Sequence, residues 1–142
     1  MSGTAGTTPF QGVAQIAVTC RDVERATAFY RDAIGLDFVF AAEGMAFFQC
    51  GTTRLMLGPP SAPEFDHPTS LIYLRVTGIE DQVEAMKARG VAFRREATLT
   101  HQAPTWSLWL AFFRDSEGNT LALMEEKPNR FGDGDGPGEP AA

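Results

Sequence analysis

The sequence predicts an α+β fold in which two tandem βαβββ modules form a curved, half-open mixed β-barrel cup with the helices on its outside. Two observations carry this. A strand–helix–strand grammar occurs twice with nearly the same beat, Gly35 falling thirteen positions after Asp22 and Gly90 twelve after Gly78. A run with four prolines, Gly58 to Pro68, separates the two copies and is readable only as loop or linker. A lone module would leave one sheet face uncovered and its edges open, which pairing the two relieves.

Val13 to Thr19 reads as the first strand. Asp22 is placed to accept a backbone N–H at the start of the helix that follows. Val23, Ala26, Tyr30 and Ala33 recur on one helical face, flanked by Phe29 and Ile34. Gly35 occupies the position where a left-handed residue closes a helix, and Leu36 to Phe40 turns extended. Ala46–Cys50 and Arg54–Leu57 complete the first module, residues 13–58.

The second module, residues 70–126, opens with an alternating strand from Ser70 to Val76. Thr77-Gly-Ile-Glu80 has capping-box spacing, and Ile79, Val83 and Met86 mark the helix behind it. Val91–Arg95, Leu108–Arg114 and Thr120–Glu125 read as strands, the last two joined by the turn Asp115-Ser-Glu-Gly-Asn119. The expected organisation is a flexible leader over 1–11, one domain over 12–127, and a disordered Gly/Pro/acid-rich tail over 128–142.

Composition narrows the function. A chain of 142 residues with 44% hydrophobic and 21% charged residues suits one globular domain. A formal charge of −6 argues against nucleic acid and against an anionic membrane surface. There is no secretory signal pattern and no apolar run of spanning length. The two cysteines, Cys20 and Cys50, make no CxxC pair, so free thiols in the cytoplasm are expected. Glycine-rich phosphate loops, GxSxG elbows and HExxH are absent from the sequence.

Strand alternation assigns faces. Ile16, Val18, Ile72, Leu74, Val76, Leu121 and Leu123 should lie against the helices. Gln15, Ala17, Arg54, Met56, Leu71, Tyr73, Arg75, Thr120, Ala122 and Met124 then face the cup. Apolar walls with a few orienting polar groups are how small-molecule pockets are built. Two arginine forks would favour a carboxylate, phosphate or phenolate. Trp106 and Trp109 stand three apart on one strand and should point to opposite faces: either one lines the cup against a flat ligand, or one is core and the other interface. His67 and His101 lie in Pro-bearing loops, where surface histidine is the plain reading; in the sharper one His101 hangs over the cup as a general base or hydrogen-bond donor. Tyr73 is the other acid–base candidate.

The runs Asp22-Val-Glu-Arg-Ala-(x)3-Phe29-Tyr30-Arg-Asp-(x)2-Gly35-Leu36 and Phe112-Phe-Arg-Asp115-Ser-Glu-Gly118-Asn119 resemble the vicinal oxygen chelate superfamily, over about residues 12–127. That group includes glyoxalase I, bleomycin-resistance proteins, extradiol dioxygenases and fosfomycin-resistance enzymes. The resemblance implies a cup-facing metal site. Its usual ligand positions fall here on Gln15, on Arg54 or Met56, on Leu71 and on Ala122. None of these offers the imidazole, carboxylate or thiolate that a divalent ion needs, so no metal and no other cofactor is expected.

Two functions compete. One is a metal-free small-molecule binder of the bleomycin-resistance type, a homodimer that holds an amphipathic compound, aromatic or anionic, for sequestration or resistance. Its ligand-binding set is Gln15, Arg54, Met56, Leu71, Tyr73, Arg75, Trp106, Trp109, Ala122 and Met124. The alternative is a glyoxalase-like lyase, isomerase or dioxygenase. It would work either through displaced metal ligands, with His67, His101, Glu43, Glu125 and Glu126 as substitutes, or through metal-free acid–base chemistry on His101 or Tyr73. A partner-binding structural domain is the third, plainest reading.

Overall fold

The computed structural model describes residues 8–129. The Gly/Thr-rich leader up to residue 7 and the tail from residue 130 lie outside the described residues. The first module runs β1 (Gln15–Thr19), α1 (Val23–Ala28), β2 (Asp37–Ala42), β3 (Met45–Cys50) and β4 (Thr53–Gly58). The second runs β5 (Ile72–Arg75), α2 (Ile79–Ala88), β6 (Phe93–Gln102), β7 (Trp106–Arg114) and β8 (Thr120–Pro128). Each module folds into a four-stranded sheet of the same topology, β1-β4-β3-β2 and β5-β8-β7-β6. In each, the first strand pairs parallel with the last and the remaining pairs are antiparallel. Neither sheet closes into a barrel, leaving an open cup built from two repeats.

Local chemistry explains the first helix. The Asp22 carboxylate accepts the Arg25 amide at 3.0 Å, capping α1 as its position in the sequence predicts. Past Ala28 the helix widens into π-helical turns over Phe29–Ile34, which bury Tyr30, Ala33 and Ile34 together. Gly35 ends it at φ 96°, a left-handed conformation that a side chain would strain.

The second helix starts differently from the sequence expectation. Gly78 is its left-handed N-cap, and no capping box forms at Thr77–Glu80. Instead Glu125 reaches across from β8, and its carboxylate accepts the amides of Gly78 at 3.0 Å and Ile79 at 2.8 Å. Glu80 is drawn to Lys127, 2.7 Å away. A carboxylate on two orphan helix amides also sits favourably in the helix dipole. Glu125→Ala is expected to lower stability by about 1–2 kcal/mol, with Glu125→Gln intermediate. Urea unfolding measures this, and a change below a few tenths would mean that water caps the helix equally well.

One hydrophobic core serves both modules. Val18, Phe48, Leu55 and Leu57 from the first sheet join Ile72, Leu74, Phe113, Leu121 and Leu123 from the second, with Ala26, Tyr30, Ile79, Val83 and Met86 from the helices. The aliphatic strand faces therefore point toward the helices, as alternation requires. β6 and β8 both extend beyond their predicted ends, β8 to Pro128, and Asn129 binds back to the carbonyls of Ala103 and Pro104.

Candidate functional site

The two motif runs meet in space. Asp115 is buried at the start of the β7–β8 turn, and its carboxylate accepts the Tyr30 hydroxyl at 2.6 Å. It also accepts the amides of Glu117 and Asn119, both at 2.8 Å, and the Asn119 side-chain N–H at 3.0 Å. Asn119 in turn donates to the Thr19 carbonyl and accepts the Thr69 amide. Arg25 clasps Glu117 with two bonds of 2.8 and 3.1 Å, and holds its carboxyl below the usual carboxylate range. Burial, with the Asp115 charge beside it, pushes the Tyr30 phenol up. These residues tie the modules together; none presents reactive chemistry.

A cavity of about 450 Å³ lies over this junction, lined in part by Arg21, Arg25, Asp66, Glu117 and Cys20. Its charges are already spent on each other, through Arg25–Glu117 and the 2.6 Å pair of Arg21 with Asp66. Burial first, then Glu117 and Asp115, pushes the Cys20 thiol up to about 11, so it stays protonated and weakly nucleophilic.

The concave faces carry the sequence-predicted site residues except Trp109. In the first sheet Gln15 stands beside Arg54 and Ala17 beside Met56 on the parallel pair β1–β4. The Gln15 amide lies 3.7 Å from the Met56 sulfur, and the Arg54 guanidinium stands over the Phe47 ring at 6.0 Å. In the second sheet Tyr73 pairs with Ala122 and Arg75 with Met124. Arg75 has Glu126 at 3.9 Å as a loose counter-charge. Leu71 precedes β5 and is exposed. Ala122 is fully buried, under a Tyr73–Phe112 edge contact.

The two tryptophans take opposite faces. Trp106 lies on the cup side, where the His101 ring meets it at 5.6 Å between centroids. Trp109 turns to the helix side, packs against the core, and carries Lys127 over its ring at 4.7 Å, so it is not part of the cup. His101 is not in a loop: it belongs to β6, opposite Leu108. Tyr73 is half-exposed.

The enzymatic substitutes do not converge. Glu125 is committed to capping α2, Glu126 faces Arg75, and Glu43 occupies a tight turn at φ 55°. Among the described residues, no three His, Cys, Asp or Glu side chains come together as a metal site would require. The residues standing at the ligand positions, an amide, a guanidinium or thioether, a leucine and an alanine, do not fit a divalent ion.

Sequence reasoning missed the aromatic lining. Phe40 and Phe47 stack at 4.5 Å on the concave side of the first sheet, and Phe47 is the cross-strand partner of Met56. Phe112 plays the same part in the second sheet, opposite Ala122. Pairing β3 with β4 across the two-residue Gly51-Thr52 turn sets Phe47 opposite Met56, a register that alternation along one strand alone does not give.

The glyoxalase/bleomycin resistance protein/dioxygenase superfamily model matches residues 12–123. The chain belongs to that superfamily. Among solved structures it is similar to a putative glyoxalase family protein from Bacillus anthracis, at 22% identity and a TM-score of 0.67, covering 86% of this chain and 100% of that one. A lactoylglutathione lyase from Agrobacterium tumefaciens is 22% identical with a TM-score of 0.58, covering 83% and 96%. TnmS3, an antibiotic binding protein from Streptomyces sp. CB03234, is 22% identical with a TM-score of 0.68, covering 87% and 100%. At these identities the likeness establishes the fold alone. No curated protein matches the chain significantly. Superfamily members thus share this frame while differing in chemistry, which the concave lining must decide. No described helix is long and apolar enough to cross a membrane.

Proposed function

We propose that this superfamily member is a metal-free small-molecule-binding protein that holds an amphipathic ligand, aromatic at one end or anionic, for sequestration or resistance. One observation carries the reading: the positions that hold a metal in chelating relatives are occupied by Gln15, Arg54 or Met56, Leu71 and Ala122, on faces otherwise lined by aromatic rings. Stacked and edge-on rings offer flat apolar surface, and the two arginines offer charge. The similarity to an antibiotic binding protein points the same way. The ligand makes no covalent bond to the protein and needs no chemistry, only affinity.

The half-open faces also support a homodimer. Leu71, Tyr73 and Phe40 are 43%, 47% and 41% exposed on or beside the concave surfaces, apolar side chain of the kind that a contact with another chain covers. A second copy completing the cup would bury them. Light scattering at micromolar concentration tests this, with a monomer as the contrary result.

Elemental analysis of protein purified without chelator is expected to find zinc, nickel, manganese and iron well below stoichiometry, and chelator to leave the melting midpoint in place. Near-stoichiometric metal would favour the glyoxalase-like enzyme instead. In a thermal-shift screen of hydrophobic antibiotics and aromatic acids, a true ligand at a hundredfold excess over Kd adds about 2.7 kcal/mol. Arg54→Ala and Arg75→Ala should each weaken an anionic hit about fivefold while leaving unfolding unchanged, since both guanidinium groups are solvent-screened. An Arg54→Ala protein that binds acids as tightly as before would remove that residue from the site.

A further inference from the structure

A second, smaller cavity of about 330 Å³ lies at the end of the first sheet, beneath the proline-rich 58–68 loop. Ala17, Met56 and Gly58 line it from β1 and β4, Met45 from β3, and Phe65 and His67 from the loop. Its size falls at the lower end of small-molecule pockets, about 300–1,000 Å³, and suits one or two fused rings. No Lys, Arg, Asp or Glu side chain lines it. Two methionines give adaptable, polarisable walls that favour aromatic faces. Gly58 is bare for a reason: a Cβ there would come within 2.7 Å of Met45 Cγ, so the missing side chain lets Met45 lie across the strand end.

The loop is fastened over this space. The Thr19 hydroxyl donates to the Phe65 carbonyl at 3.3 Å, and Asp66 holds Arg21. The polar side chains lining the pocket are Ser61, Thr19, whose hydroxyl is given to Phe65, and His67, which also borders the cavity over the junction. The His67 Nδ1 is 2.9 Å from the Pro68 carbonyl, which can only accept, so Nδ1 carries the proton. In the neutral ring Nε2 then keeps its lone pair, and among the described residues nothing donates to it.

We propose that this pocket takes the ring end of the ligand, a mono- or bicyclic aromatic bearing an O–H or N–H donor that His67 Nε2 accepts. The inference rests on the small-molecule reading above and names the ligand class at one end of the cup. Arg54 lies two residues from Met56 on the same strand face, outside the pocket, where an acidic tail would meet it.

The test uses the full chain with 2-naphthol and 2-methoxynaphthalene, which share a ring system and differ in the donor. Titration calorimetry should give about tenfold tighter binding of 2-naphthol. His67→Leu should abolish that preference, Ala17→Phe should abolish binding of both probes, and Phe65→Ala should weaken both. Ala17 and Phe65 are exposed, and the melting midpoint of each variant verifies folding. In methyl-labelled protein, the Met45 and Met56 signals should shift with 2-naphthol, while Met86, buried on the core face of α2, and Met124, on the other sheet, stay in place. Shifts at Met124 alone, or binding that survives Ala17→Phe, would overturn the pocket while leaving the cup as a binding site. Equal affinity for the two probes would overturn the acceptor role of His67. Binding of neither probe would overturn the inference, and the antibiotic and aromatic-acid screen then judges the broader reading separately.

Discussion

Asp115→Ala is expected to cost about 4 kcal/mol of unfolding free energy, measured by urea denaturation. The carboxylate takes four hydrogen bonds while only 7% exposed, and removing it strands the Tyr30 hydroxyl, two backbone amides and an amide side chain. Each stranded buried donor costs about 1–3 kcal/mol, reduced where water follows the vacated volume. Asp115→Asn keeps one accepting oxygen, so about half of that loss should return. Tyr30→Phe removes a single donor and should cost about 1.5 kcal/mol. The two positions touch, so the double variant should lose less than the sum by about 1 kcal/mol. Additive losses would mean that the 2.6 Å bond contributes nothing of its own, and a loss below 1 kcal/mol for Asp115→Ala would refute the junction as a structural tie.

Phe48→Ala should cost a comparable amount, about 3–5 kcal/mol. Phe48 is fully buried on the helix side of β3, with the Tyr30 ring at 5.9 Å and the Phe38 ring at 5.5 Å. Truncation leaves a void among rings held by three elements, which cannot collapse to fill it. Phe47→Ala, one residue away, is the informative contrast: its ring, 9% exposed, stacks on Phe40 outside the shared core cluster, so its loss should cost less stability while altering ligand affinity. If both variants lost the same stability, the division between helix face and cup face would be wrong.

The fold was largely legible because it is written in local signals. Asp22 and Gly35 mark the first helix by capping chemistry alone, and alternation separated Leu74 from Tyr73 without any tertiary information. Where a partner far along the chain decides the outcome, the sequence is silent. Thr77 and Glu80 have capping-box spacing, yet Glu125, forty-six positions from Ile79, wins the helix amides. His101 read as loop because Pro104 follows it closely; the hairpin turn tightens to Ala103–Thr105, and β6 runs on through Gln102. For the candidate site, the face assignment of Gln15, Arg54, Met56, Tyr73 and Arg75 needed only period two, while Phe40, Phe47 and Phe112 required the hairpin registers. The pocket beneath the proline-rich loop had no sequence signature at all, since side-chain ties such as Thr19 to Phe65 span forty-six positions.

Because the shared core cluster lies on the convex side of both sheets, much of the free energy that keeps the chain folded is concentrated there, although Phe47, Trp106 and Ala122 are also buried on the concave side. Substitutions at exposed positions of the concave lining, such as Gln15, Arg54, Leu71 and Tyr73, therefore have room to accumulate with little thermodynamic penalty. A frame of this kind is suited to acquiring new guests: its recognition surface can drift without the architecture having to be reinvented.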